Sequence, residues 1–156
     1  MEKITSQDLR GGVKSILLMS AKGEFEAVFS SEGVTLSLPS EGTLSVTPDD
    51  NSALWSESLS QHDIIPQATH RLEFRIPHGH PAIELLRAPH GVIAVVELTC
   101  GKRLLGGYSE RFGTEQPLRP LALKLTSGRT HEDDLGWDIT LTSTDDTLAM
   151  NCILTD

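Results

Sequence analysis

The sequence predicts a mainly β fold, a single-domain antiparallel sandwich or barrel with one or two short helices. Three observations carry this prediction. Apolar and polar residues alternate with a period of two in several short runs, of which Leu72, Phe74 and Ile76 against Arg71, Glu73 and Arg75 is the clearest. Gly, Pro and Ser clusters punctuate the chain between those runs. Helical spacing appears over one short stretch, at Pro81 to Ala88.

The elements follow in order. Residues 1–12, ending in Arg10-Gly11-Gly12, read as a polar N-terminal arm, and residues 13–156 as one β-rich domain. Val13 to Met19 and Glu24 to Phe29 read as strands joined in a hairpin by Ala21-Lys22-Gly23, with the glycine supplying a positive φ. Val34, Leu36 and Leu38 alternate with Thr35 and Ser37, and Thr43 to Thr47 continues the pattern after a turn. Residues 48–66 break it: Thr47-Pro48-Asp49-Asp50 resembles a helix start, so a short helix or a long loop is expected there. The strand through Leu72 to Ile76 ends at Pro77. Pro81 to Ala88 reads as a two-turn helix closed by Pro89-His90-Gly91. Val92 to Leu98 is the most apolar run and reads as a central strand buried on both faces. Arg103 to Leu105 returns beside it after a turn at Cys100-Gly101-Lys102. Leu121 to Thr126, Trp137 to Thr142 and Leu148 to Leu154 complete a set of about eight to ten strands.

Composition narrows the function classes. The 156 residues carry 22 acidic and 13 basic side chains, a formal net charge of -9, with the basic residues scattered. Nucleic acid is not expected as a partner, because a phosphate backbone is held by local Lys and Arg clusters and repelled by an acidic surface. Aromatic residues make up only 4% of the chain, so Leu, Val and Ile must fill the core. Such a lean core suits a domain that completes its burial against protein subunits, including copies of itself. Cys100 and Cys152 read as free thiols in an intracellular, cytoplasmic protein. Membrane insertion is not expected, because no run approaches the ~18 apolar residues of a spanning helix.

The chief chemical signal is His78-Gly79-His80, followed by Glu84 and Gly91. It resembles the latter part of the first motif of the cupin family, small β-barrels that hold a divalent metal with two His and a Glu. In a strand, alternate histidines share a face and present two neutral nitrogens to one ion. The resemblance implies His78, His80 and Glu84 as metal ligands, with His131 as an outside candidate for the third imidazole. Against it, Leu72 stands where the motif begins with glycine, no second cupin motif follows Gly91, and Pro81 favours a helix after the histidines. The primary expectation is therefore no cofactor and no catalytic residue, with a divalent metal as the alternative.

Other motifs are incomplete. Gly107-Tyr108-Ser109-Glu110-Arg111 lacks the closing glycine of a nucleophile elbow and the strand-to-helix scaffold that exposes the serine. The acidic runs Asp49-Asp50-Asn51, Glu132-Asp133-Asp134 and Asp145-Asp146 lack the alternating oxygen ligands of a calcium loop. Trp55, in the polar break, and Trp137, at the start of a strand, read as covers over the ends of a core.

From Leu104 onward the order is Gly106-Gly107, Pro117-Leu118-Arg119, the strand Leu121 to Thr126, Ser127-Gly128, an acidic loop, and Gly136-Trp137-Asp138-Ile139-Thr140-Leu141-Thr142. This order resembles the C-terminal part of uncharacterised β-rich proteins carried in prophage and mobile-element structural operons. The resemblance covers about a third of the chain. It implies a non-enzymatic structural part acting by subunit contact in a phage-tail-like assembly, and so a location in a phage-like particle as well as the cytoplasm.

Overall fold

The computed structural model describes residues 12–22, 26–31, 33–38, 42–48, 52–62, 65–88, 90–108, 116–127, 135–145 and 149–155. Within them run β1 (Val13–Ser20), β2 (Glu26–Ser30), β3 (Gly33–Ser37), β4 (Thr43–Val46), β5 (Leu54–His62), β6 (Ile65–Pro77), α1 (Ala82–Arg87), β7 (Val92–Leu98), β8 (Arg103–Gly106), β9 (Arg119–Thr126), β10 (Gly136–Asp145) and β11 (Met150–Thr155). They form a seven-stranded sheet in the order β2-β3-β11-β8-β7-β1-β4 and a four-stranded sheet in the order β5-β6-β10-β9. Every pairing is antiparallel except that of β11 with β3.

The two sheets face each other across one core. Its floor is Ile16 and Leu18 of β1, Val46 of β4 and Val92, Ala94 and Val96 of β7, and its roof is Leu72, Phe74 and Ile76 of β6 with Ile139 and Leu141 of β10. These residues fall at alternate positions in each strand, so the pleat aims each set inward. The intervening residues of β1 and β7 build a second core on the far side of the larger sheet. There Met19, Ile93, Val95 and Leu105 cluster with Val34 and Leu36 of β3 and Cys152 of β11. The predicted burial of the Val92 to Leu98 strand on both faces is thus realised through Val96, after which exposure rises.

Helix α1 carries the chain from the smaller sheet to the larger one. Ala82 and Leu86, on one face of the helix, enter the sandwich core, and Leu85 packs against it. Beyond the end of β8, Leu118 takes the place beside Val92, exchanging two backbone hydrogen bonds of 2.9 Å. Gly107, at φ +85, makes that approach possible: a Cβ there would lie 2.8 Å from the Val92 carbonyl oxygen and 2.9 Å from the Leu118 nitrogen.

Two expectations are overturned. The hairpin between the first two strands does not form: β1 pairs with β4 and β7, and β2 pairs with β3. Burial decided this, because β1 holds apolar side chains on both faces and needs a partner strand on each side, whereas β2 alternates between half-buried and exposed and fits a sheet edge. The described residues between 48 and 66 are not a helix or a long loop. They include β5, a nine-residue strand paired along its length with β6, which itself starts at Ile65. The inward positions of β5 are Trp55, Glu57 and Leu59, so a charge interrupts the apolar phase that marks a strand in sequence. Counting β5, the described residues hold eleven strands and one helix. Residues 1–11, Asp49 to Asn51, Ser109 to Arg111 and His131 to Asp134 lie outside the described residues.

Candidate functional site

His78, His80 and Glu84 lie around the turn from β6 into α1. His78 is exposed, and its backbone N–H donates to the Leu135 carbonyl at 2.9 Å. His80 is half-buried, and its Nδ1 accepts the N–H of Ala82, the first residue of α1, at 3.1 Å. An imidazole that accepts through Nδ1 carries its proton on Nε2 when neutral, so neither nitrogen then offers a lone pair to an ion. Metal ligation by His80 thus requires the helix-end hydrogen bond to be given up. Glu84 is exposed in the first turn of α1, where its charge suits the positive end of the helix. Among the described residues no three His, Cys, Asp or Glu side chains come together as an ion site.

A second constellation, which no motif in the sequence announces, crosses three strands on the inner face of the smaller sheet. Glu57 of β5, His70 of β6 and Ser143 of β10 are successive cross-strand partners, so their side chains share one face in a single row. His70 is 2% exposed and Ser143 7%. His70 Nε2 lies 3.5 Å from Glu57 Oε1, which also accepts the backbone N–H of Ala149 at the approach to β11. The Trp55 ring leans on His70 at 5.6 Å between centroids and reaches across the sandwich, where a Cβ on Gly106 would stand 2.7 Å from its ring edge. The residue types are those of a Ser-His-acid hydrolase, but the chemistry needs the serine hydroxyl bonded to the imidazole. Ser143 Oγ makes no hydrogen bond among the described residues. The row therefore joins strands, with Glu57 tying the chain ahead of β11 to the edge of the other sheet. His70 and Ser143 sit in phase with the inward Leu72 and Leu141, but only the register of β5, β6 and β10 places them in one row with Glu57.

The outer face of the same sheet is closed by Arg75. Its guanidinium donates to Thr126 Oγ1 at 2.6 Å, to the Thr126 carbonyl at 3.1 Å and to Asp138 Oδ1 at 2.9 Å, fastening β6 and β10 to the end of β9. The inner side of β9 is different. Leu123 and Leu125 stand opposite Ile139 and Trp137 and share their inward face, while Leu121 is the extra residue of a bulge between Pro120 and Ala122. Leu121 is nevertheless 62% and Leu125 44% exposed, on the last strand of the sheet among the described residues. Beside them, between α1 and β9, runs a groove of about 320 Å³ with Leu86, Pro120 and Leu123 on its walls and Arg87 and Arg119 lining it.

No protein family, curated protein or solved structure matches the chain. Geometry alone separates the three candidates. The histidine turn holds its more buried imidazole in a helix-end bond, and the inward polar row lacks a serine-histidine bond. The edge at β9 presents apolar side chains on a strand that pairs on one side only among the described residues. No helix among the described residues is long and apolar enough to cross a membrane.

Proposed function

We propose that the chain is a non-enzymatic structural or interaction module that completes its burial against protein subunits, as a component of a phage-tail-like assembly. The observation that supports this reading is the leucine row of β9, exposed at Leu121 and Leu125 although Leu123 and Leu125 lie in phase with Ile139 and Trp137 across the strand pair. Apolar side chains set for burial at an open sheet edge favour an intermolecular contact. The resemblance to prophage structural proteins expected from the order of residues 104–142 points to the same reading.

The test is co-expression with the products of the neighbouring genes, followed by mass determination in solution. A stoichiometric complex, or a homo-oligomer of the chain alone, is expected for wild type and not for a Leu121→Asp, Leu125→Asp double variant that melts as wild type does. A chain that stays monomeric at high concentration and joins none of those products would refute the reading.

A further inference from the structure

We infer that the side of the larger sheet formed by β2, β3 and β11 docks a second copy of this chain, face to face about a two-fold axis that runs along β3. The inference rests on the interaction-module reading and names one partner, at a face apart from the β9 leucines.

The face follows from the strand register. Val46, Ile16 and Val96 of the sandwich core are successive cross-strand partners, and their row continues through Leu104 to Asn151 of β11. Paired residues point to the same side of a sheet, so Asn151 lies on the side that the smaller sheet covers at β4, β1 and β7. Among the described residues none of β2, β3 or β11 enters that core. Two residues beyond Asn151, Ile153 aligns with Thr35 of β3 and Val28 of β2 in a row on the same side. Val28 is 68% and Ile153 55% exposed, while their chain neighbours Phe29 and Cys152 are fixed in the second core on the other side. The strip is anchored from below and bare above.

Symmetry selects the occupant. A half-turn about β3 exchanges the positions of β2 and β11, so Val28 of each copy meets Ile153 of the other, and Thr35 meets Thr35. The adjoining row closes in the same way. Ser30, whose hydroxyl donates to the Gly33 carbonyl at 3.2 Å, falls opposite Asn151, whose amide can donate to that hydroxyl oxygen. Charge agrees with the pairing. Glu26 is the one charged residue of β2, β3 and β11 in a chain of net charge -9, and the half-turn carries it to the β11 side instead of onto its counterpart. Two acidic copies repel each other elsewhere and meet here with the least like-charge contact.

Size sets the strength. Three strands of about five residues give a footprint of roughly 14 by 17 Å, well short of the ~800 Å² a side of a standard interface. The dimer is therefore weak, dissociating in the range of about 0.1–1 mM, and it is apart at the micromolar concentrations at which a stoichiometric complex is scored.

The experiment is sedimentation equilibrium of the full chain from about 10 μM to about 1 mM. Wild type should pass from monomer towards dimer, and should associate at least about threefold more tightly at high salt, which screens the repulsion between acidic copies. A Val28→Asp, Ile153→Asp double variant that melts as wild type does should stay monomeric throughout. The geometry is read with a short bismaleimide in a Cys100→Ser background, since Cys152 is buried. A mixture of Val28→Cys and Ile153→Cys chains should form covalent dimer at least about threefold faster than either variant alone. Association unchanged in the double aspartate variant, weakening as salt is raised, or faster linking of Val28→Cys to itself than in the mixture overturns the proposal. Absence of self-association while the complex with the co-expressed gene products persists overturns this dimer and leaves the module reading standing. Loss of that complex as well removes both.

Discussion

Cys152 shows how one side chain reports on its setting. It points into the second core, 4% exposed among Val34, Leu36 and Leu105, and burial pushes its thiol from an ordinary 9.0 up to about 11, against a smaller opposing pull from Arg103. The folded chain therefore keeps this proton at a pH where the unfolded chain has released it. The stability linked to Cys152 is fully present below pH 9 and is lost as pH rises from 9 towards 11. A rise of that size corresponds to roughly 2–3 kcal/mol. Chemical denaturation of wild type and Cys152→Ala across that range should show the wild type losing about that much more stability than the variant; parallel curves would contradict the assignment. The same burial keeps the thiol from reacting, since the thiolate is the nucleophile. Cys100, half-buried in the turn after β7, should be the thiol that native protein alkylates first.

At the scale of elements, α1 offers a test of what the histidines do. The helix has six residues and its capping position is Pro81, which supplies no side-chain bond, so the His80 Nδ1 contact to Ala82 satisfies one of the amide groups left open at its start. His80→Ala should lower stability by about 1 kcal/mol, while His78→Ala, removing an exposed side chain, should change it by less than about 0.5 kcal/mol. Added zinc or manganese should raise the melting temperature of neither variant nor of wild type. A metal-dependent rise in wild type that His78→Ala removes would revive the cupin-like site. The helix itself was legible from Pro81 and the spacing of Ile83 and Leu86, and β6, β7, β9 and β10 were legible from strict alternation or continuous apolar runs. The strand at β5 was not, because Glu57 occupies an inward position where the period-two signal requires an apolar residue. An inward charge on an edge strand is one device by which a sheet discourages further pairing, and here the opposing His70 meets it. The row of Glu57, His70 and Ser143 stayed hidden for a related reason. Its members are far apart in sequence and share a face only through the β5-β6-β10 register, which no local pattern encodes.

For the molecule as a whole, the arrangement of two cores on opposite faces of one sheet governs how it should unfold. Leu18 and Met19 are neighbours in β1 yet belong to different cores, as do Ala94 and Val95 in β7. Neither core can open without disordering strands that form a wall of the other, so unfolding should be a single cooperative event. The two tryptophans make this measurable, because Trp55 and Trp137 both pack against the sandwich core and neither belongs to the second one. Leu36→Ala removes a fully buried side chain from the second core, and Leu72→Ala one from the sandwich core. Each should cost about 2–5 kcal/mol. If the cores are coupled through β1 and β7, tryptophan fluorescence should report the Leu36→Ala loss in full, at the same midpoint as far-ultraviolet circular dichroism. A fluorescence midpoint that stays at the wild-type value while circular dichroism shows an earlier transition would mean that the side formed by β2, β3 and β11 opens independently of the sandwich. In that case the shared strands do not transmit the loss of packing from one face of the sheet to the other.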